Sequence, residues 1–403
     1  MQRSPSIQSP AARAALDLDR LVASAQLVSG NFAPLDSALQ NRLARLVAWL
    51  TEQAPLSAER KAEVELQLRK LLATRLRLAA DRARLPGIAA ERIERPIFVI
   101  GFARTGTTLI HSLLAEDPAA RAPLWWQTHD PSPPPGEVPV VPTRIEFAGQ
   151  DLDRLLHLAP GLLTLHPYWD KRGLSPIEDE EIFALDVQNA YPTLLYRVPA
   201  LAMVLDAGDA ASAYAFHRQF LQHLQWRQPG RHWVVKGTYH QFALAALLDA
   251  YPDARCIWTH RDPLQVHPSV LAITAVLYGA ITDWAMDFKA LGPAFVDSIR
   301  QSLERALADP LVDDPRILHV DFHDLVRDPV AVVRRAYAGW GETVSPTYEA
   351  RLHAWLADPA NRPDRYGRYA YALEPYGLDE ATLARSFDFY RRRFRLGPYA
   401  EQP

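Results

Sequence analysis

Hydrophobic and polar positions divide the chain into two textures. In the first, Leu35, Leu39, Leu43, Leu46, Val47 and Leu50 recur at three- and four-residue spacing, which sets them on one face of a helix. The same period continues through Val64, Leu68, Leu71 and Leu72. Ser57 is placed to cap this second helix, and Pro86–Gly87 to end it. No catalytic pattern accompanies these helices, which read as a packing or oligomerisation element.

After Arg95 short apolar runs alternate with helical patterns. Pro96 to Ile100, His232 to Gly237, Ala254 to His260 and Arg316 to Phe322 are continuous rather than alternating runs. Such runs suit strands buried on both faces of a parallel sheet. Strand followed by helix, repeated, predicts a three-layer α/β domain with a central parallel sheet. The expected organisation is a disordered stretch over 1–11, a helical N-terminal region over 12–94 and the α/β domain over 95–395. The proline-rich run "APLWWQTHDPSPPPGEVPVVPT" is expected as a surface loop. Pro268 to Thr282, the longest uncharged stretch, is too short to span a bilayer and reads as a buried helix or pocket wall.

The 403 residues carry 44 Lys plus Arg against 47 Asp plus Glu, a balance that argues against nonspecific nucleic-acid binding. The single cysteine, Cys256, excludes an intramolecular disulfide and lies in an apolar run as a core thiol. No clustered Cys/His spacing suggests a metal. The N-terminus has no apolar signal segment, which makes the cytoplasm the default location.

Ligands of open α/β sheets bind beyond the carboxyl ends of the strands, and the run "RPIFVIGFARTGTTLIHSLL" puts a glycine loop there. Gly101 and Gly106 keep the spacing of a nucleotide-binding G-x-x-x-x-G-K-[ST] loop, and Thr108 takes its hydroxyl position. The lysine position is Thr107, and the cation is Arg104 instead. Leu109, Ile110, Leu113 and Leu114 predict a helix starting near Gly106. Its free N–H groups and positive end make an anion cradle, to which Thr105, Thr107, Thr108 and the Arg104 guanidinium add donors. The missing lysine disfavours a small-molecule P-loop kinase using Mg-ATP.

"FARTGTT" together with "THRDPLQVHPS" resembles the sulfotransferases that use 3′-phosphoadenosine 5′-phosphosulfate (PAPS). "APLWW", "VVKGTYH", "HDLVRDP" and "YALEPYGLD" extend the resemblance to the bacterial branch of that superfamily, over about residues 14–390. The resemblance implies that the glycine loop holds the 5′-phosphosulfate. It also implies that an arginine after a central strand and a serine eight residues later, here Arg261 and Ser269, hold the 3′-phosphate. The loop arginine departs from the lysine of the commoner cytosolic pattern.

Sulfuryl transfer needs a nucleophilic acceptor oxygen and stabilisation of the leaving phosphate. His240 is a candidate for the acceptor proton, and Lys236 and Arg104 for the developing charge. A helix-capping histidine and a surface lysine would carry the same letters. His111 and His260 read as structural. Ser175, Pro176 and Glu178 match a helix capping box, with Asp179 at its positive end; Glu178, Glu180 and Glu181 are alternative bases. Arg365 and Arg368 are placed to close over the nucleotide.

The expected activity is transfer of a sulfuryl group from PAPS to a hydroxyl, less readily an amine, without a metal. The expected acceptor is a small or lipophilic molecule, with Trp125, Trp126, Tyr168, Trp169 and the apolar stretch after Ser269 hinting at an aromatic or hydrophobic one. The alternative from another class is a catalytically silent nucleotide-binding protein.

Overall fold

The computed structural model describes residues 16–52, 57–138, 142–188, 207–228, 230, 232–281 and 287–397; the stretch expected to be disordered, 1–11, lies outside them. Five parallel strands form one sheet: β1 (Ile97–Ile100), β2 (Ala120–Arg121), β3 (His232–Gly237), β4 (Arg255–His260) and β5 (Ile317–Asp321), in the order β2-β3-β1-β4-β5. The four long apolar runs became β1, β3, β4 and β5. The two-residue β2 had no such run to announce it.

Alternation along each strand feeds two cores. Phe98, Ile100, Trp233, Val235, Cys256 and Trp258 point into one, shared with the helix Ala207–Gln225. Ile97, Val99, Val234, Ile257 and Val320 point into the other, shared with the helix after β1 and with Pro329–Gly339. Burial pushes the Cys256 thiol up to about 12, as expected of an inert core cysteine.

Helices α1 (Leu18–Ser29), α2 (Ser37–Glu52) and α3 (Ala58–Arg84) precede the sheet. Asp17 caps α1 by accepting from the Arg20 amide at 3.0 Å, and Gly30 ends it at φ 71°. Leu39, Leu43, Leu46, Leu50, Leu68 and Leu72 form a separate core among these helices. Asp186 ties them to the sheet domain, pairing with Arg42 at 2.5 Å and with Arg75 at 2.8 Å.

Two expectations are corrected. The run around Trp125 is not surface loop throughout: Trp125–His129 is a short helix, and Trp125 and Trp126 are buried. The proposed capping box at Ser175 does not start a helix. Ser175 to Ile177 runs extended beside Pro123 to Trp125, with Trp125 N donating to Ser175 O at 2.9 Å and Ile177 N to Pro123 O at 3.1 Å. That pairing uses the backbone groups a helix would need, so the helix begins at Glu180. The uncharged stretch after Ser269 belongs to the helix Pro263–Ile281. Among the described residues no helix is long and apolar enough to cross a membrane.

Candidate active site

β1 lies between β3 and β4, so the chain leaves the sheet in different directions on either side of it. Crevices for ligands open at such switch points.

The glycine loop runs from Gly101 into α4 (Thr107–Ala115), with Gly106 as its cap at φ 96°. A Cβ on Gly106 would also meet Phe322 and Leu325 at 3.0 Å, so only glycine fits. Arg104 holds φ 70°, a left-handed conformation that costs a non-glycine residue energy. The loop thus places Arg104 against a backbone preference. The Thr105 hydroxyl does not face the cleft; it donates to Phe102 O at 2.6 Å and pairs with the Thr259 hydroxyl at 2.7 Å. Thr105 therefore ties the loop to β4. Thr107 opens α4 and is buried.

Arg261 follows β4, and Ser269 stands two turns into the next helix. Arg104 Nε donates to Ser269 Oγ at 2.8 Å, and Arg261 Nη1 donates to Arg104 O at 3.1 Å. Arg261 also lies over the Phe322 ring, 4.0 Å from its centroid. Among the described residues neither guanidinium has a carboxylate partner. Burial, and then Arg104, lower the pKa of Arg261. Two neighbouring cations with no carboxylate partner among the described residues create a local positive potential that attracts anions.

The lysine absent from the loop arrives from β3. Lys236, at the strand's end and almost fully buried, places Nζ 3.1 Å from Thr108 Oγ1 and 2.6 Å from Glu178 Oε1. Burial alone would raise the Glu178 carboxyl, but Lys236, His166 and His111 together outweigh it and the net shift is downward. Glu180 accepts from the Thr238 amide and hydroxyl, both at 2.7 Å. Burial and the neighbouring Glu178 push its carboxyl up to about 7.

His240 is held in the core. It is fully buried, with Nδ1 2.8 Å from the Tyr214 hydroxyl and Nε2 3.0 Å from Asp179 Oδ2. Asp179 is shared with His217 Nε2 at 3.1 Å. Both His240 nitrogens are thus engaged in the core, and taking an acceptor proton would require breaking one of these bonds. Burial pushes Asp179 up, but the two histidines outweigh it and hold the carboxyl down at about 2. His111 bonds to Val234 O at 3.2 Å, and His260 lies between Tyr390 and His319 at 2.7 and 2.8 Å; both fill structural positions.

Arg365 is engaged with a neighbouring turn. It donates to Asp170 Oδ2 at 2.8 Å and to Pro167 O at 2.6 Å, clamping the turn that carries Tyr168 and Trp169. Arg368 is exposed and pairs with Asp364 at 3.2 Å. The same turn holds a residue that the sequence reading passed over. His166 is 9% exposed, and its ring lies within electrostatic reach of Lys236, Glu178 and Arg104. No motif surrounds it, so only the fold brings it within reach of these charges.

Comparison with known proteins matches the chain to sulfotransferases. Residues 96–346 match a family model described as the sulfotransferase family. The omega-hydroxy-beta-dihydromenaquinone-9 sulfotransferase Stf3 of Mycobacterium bovis, and that of Mycobacterium tuberculosis, is 29% identical over 279 residues, 66% of this chain and 68% of that protein. The crystal structure of sulfotransferase STF9 from Mycobacterium avium superposes with a TM-score of 0.82 at 28% identity, covering 94% of this chain and 97% of that one. Sulfotransferase STF1 from Mycobacterium tuberculosis gives 0.76 at 26% identity, covering 93% and 99%.

Proposed function

The chain belongs to the sulfotransferase family, and from that premise we propose that it carries a sulfuryl group from PAPS to a hydroxyl on a lipophilic small molecule. The observation that carries this reading is the pair Arg104 and Arg261, the first bonded to the Ser269 hydroxyl and the second to the Arg104 carbonyl, neither with a carboxylate partner among the described residues. A ligand with two separated anionic groups fits such a pair. In this reading α4's first N–H groups, Thr107 and Thr108 hold the 5′-phosphosulfate, and Arg261 and Ser269 hold the 3′-phosphate. Arg104, between them, turns from Ser269 toward the ligand.

The acceptor oxygen attacks sulfur as the bond from sulfur to the 5′-phosphate oxygen breaks, so negative charge grows on the leaving phosphate. Lys236 at Thr108, with Arg104, is placed to stabilise that charge, a contribution of about 3 kcal/mol for one well-aimed donor in a water-poor site. The ionised Glu178 balances Lys236 and holds its ammonium at the loop.

The acceptor's character follows from the wall next to the cleft. Leu162 and Ala159 pack against Leu155, Leu156, Trp169, Ile273, Val276 and Leu277, and the last three stand on the helix that begins near Arg261. A relative whose name specifies a hydroxylated menaquinone supports the same preference. Titration calorimetry with adenosine 3′,5′-bisphosphate tests the donor. Binding is expected; a folded protein that fails to bind it at millimolar ligand would remove PAPS from the reading.

A further inference from the structure

We propose that His166 is the residue that takes the acceptor's proton. The inference rests on the sulfuryl-transfer reading and adds the base, which His240 is not free to be.

The placement comes from three elements. The short helix Leu162–Leu165 ends at His166, and the turn Pro167–Trp169 follows it. The ring packs 4.7 Å from the Trp169 ring, centroid to centroid, and 6.3 Å from that of Tyr168. Arg365 anchors the turn at Pro167 and Asp170. His166 Nδ1 is nevertheless buried without a hydrogen-bond partner. Buried polar atoms rarely go unpaired, and the charges of Lys236, Glu178 and Arg104 reach this ring. The Trp169 ring on which it packs belongs to the apolar wall to which its own helix contributes Leu162. An acceptor lying on that wall would bring its hydroxyl between the imidazole and the sulfate.

The chemistry balances. The hydroxyl proton passes to the imidazole as the oxygen's electron pair forms the new O–S bond. The S–O bond to the phosphate breaks, and its electron pair leaves with adenosine 3′,5′-bisphosphate. The imidazolium is offset by the Glu178 carboxylate, whose own shift records His166. Burial, then Lys236, with Arg104 adding to them, hold the free ring's pKa down at about 3. Donor anions at Lys236 and Arg104 offset two of these influences, so the ring gains basicity once the donor is in place.

The test compares wild type with His166→Ala and His166→Gln. Turnover is read as adenosine 3′,5′-bisphosphate released from PAPS, with 2-naphthol and with water as acceptors. Release is expected to fall by about 10²-fold or more in both variants, with calorimetric affinity for adenosine 3′,5′-bisphosphate unchanged and added imidazole restoring part of the His166→Ala loss. Near-normal release would overturn the proposal, and a matching loss in Glu178→Gln would then move the base to that carboxylate. Independently, the His166 imidazole signal in ¹⁵N-histidine spectra, assigned by its absence from the variants, is expected to shift when adenosine 3′,5′-bisphosphate and sulfate are added together. A signal that stays in place while the nucleotide binds would take His166 out of the site. Failure of the wild type to bind the nucleotide would instead strike at the donor reading.

Discussion

Arg104 reaches across 165 positions of sequence to donate from Nε to the Ser269 hydroxyl at 2.8 Å. That bond joins the two halves of the expected donor site, and the ligand must displace or share it. Arg261→Ala is expected to weaken adenosine 3′,5′-bisphosphate by about ten- to a hundredfold, the value of a charge-assisted hydrogen bond. Adenosine 5′-phosphosulfate, lacking the 3′-phosphate, should lose much less. Calorimetry with both ligands decides it, and an equal loss for both would separate Arg261 from the 3′-phosphate.

The backbone at Arg104 allows activity and stability to be pulled apart. Its left-handed φ of 70° suits glycine better than arginine. Arg104→Gly is expected to keep or slightly raise the melting temperature while lowering turnover by about 10²-fold or more. A variant that both melted earlier and bound the nucleotide normally would contradict this division.

Asp179, His217 and His240 form a buried unit whose value should appear in folding. Asp179→Asn is expected to cost roughly 3 kcal/mol, because two buried histidines lose their carboxylate. A carboxyl held below its ordinary value stabilises the fold above that value and loses its contribution as pH falls. The window therefore runs from the usual aspartate range down to about 2. Urea unfolding across acid pH should show wild type and Asp179→Asn converging there.

Glu180 should behave in the opposite sense. Its carboxyl sits at about 7, so the folded state holds the proton more tightly than the unfolded chain does. Its contribution is fullest below the ordinary glutamate range and declines as pH rises through about 7. Glu180→Gln is therefore expected to gain in urea midpoint, relative to wild type, between mildly acidic and mildly alkaline pH. A difference independent of pH would refute the raised carboxyl.

Arg365 links the C-terminal segment to the His166–Asp170 turn. Arg365→Ala should raise the KM for an added acceptor such as 2-naphthol by several-fold and leave nucleotide affinity intact. A change confined to nucleotide affinity would return Arg365 to the donor side.

The strands and the glycine loop were legible in the chain because both are local. β1, β3 and β4 announce themselves as unbroken apolar runs, and Gly101, Gly106 and Arg104 fall within six residues. The convergence of Arg261 and Ser269 on Arg104 was implied only through resemblance, and the geometry brings the three together. What stayed hidden depends on tertiary partners. Nothing next to His240 reveals that Tyr214 and Asp179 engage both its nitrogens. Ser175 carries the letters of a helix cap, yet pairing with Pro123 to Trp125 claims its backbone first. His166 has no neighbouring motif, and its meaning lies in residues 12 to 70 positions downstream and some 60 upstream.

The buried bond between the Thr105 and Thr259 hydroxyls, 2.7 Å long, has a consequence for ligand choice. It pins the glycine loop to β4, the strand that delivers Arg261, so the span between the two proposed anion positions is set by the sheet. In the proposed reading the cleft then works as a caliper, gauging how far apart a nucleotide carries its charges. A run of contiguous phosphates would seat at one jaw and leave the other open.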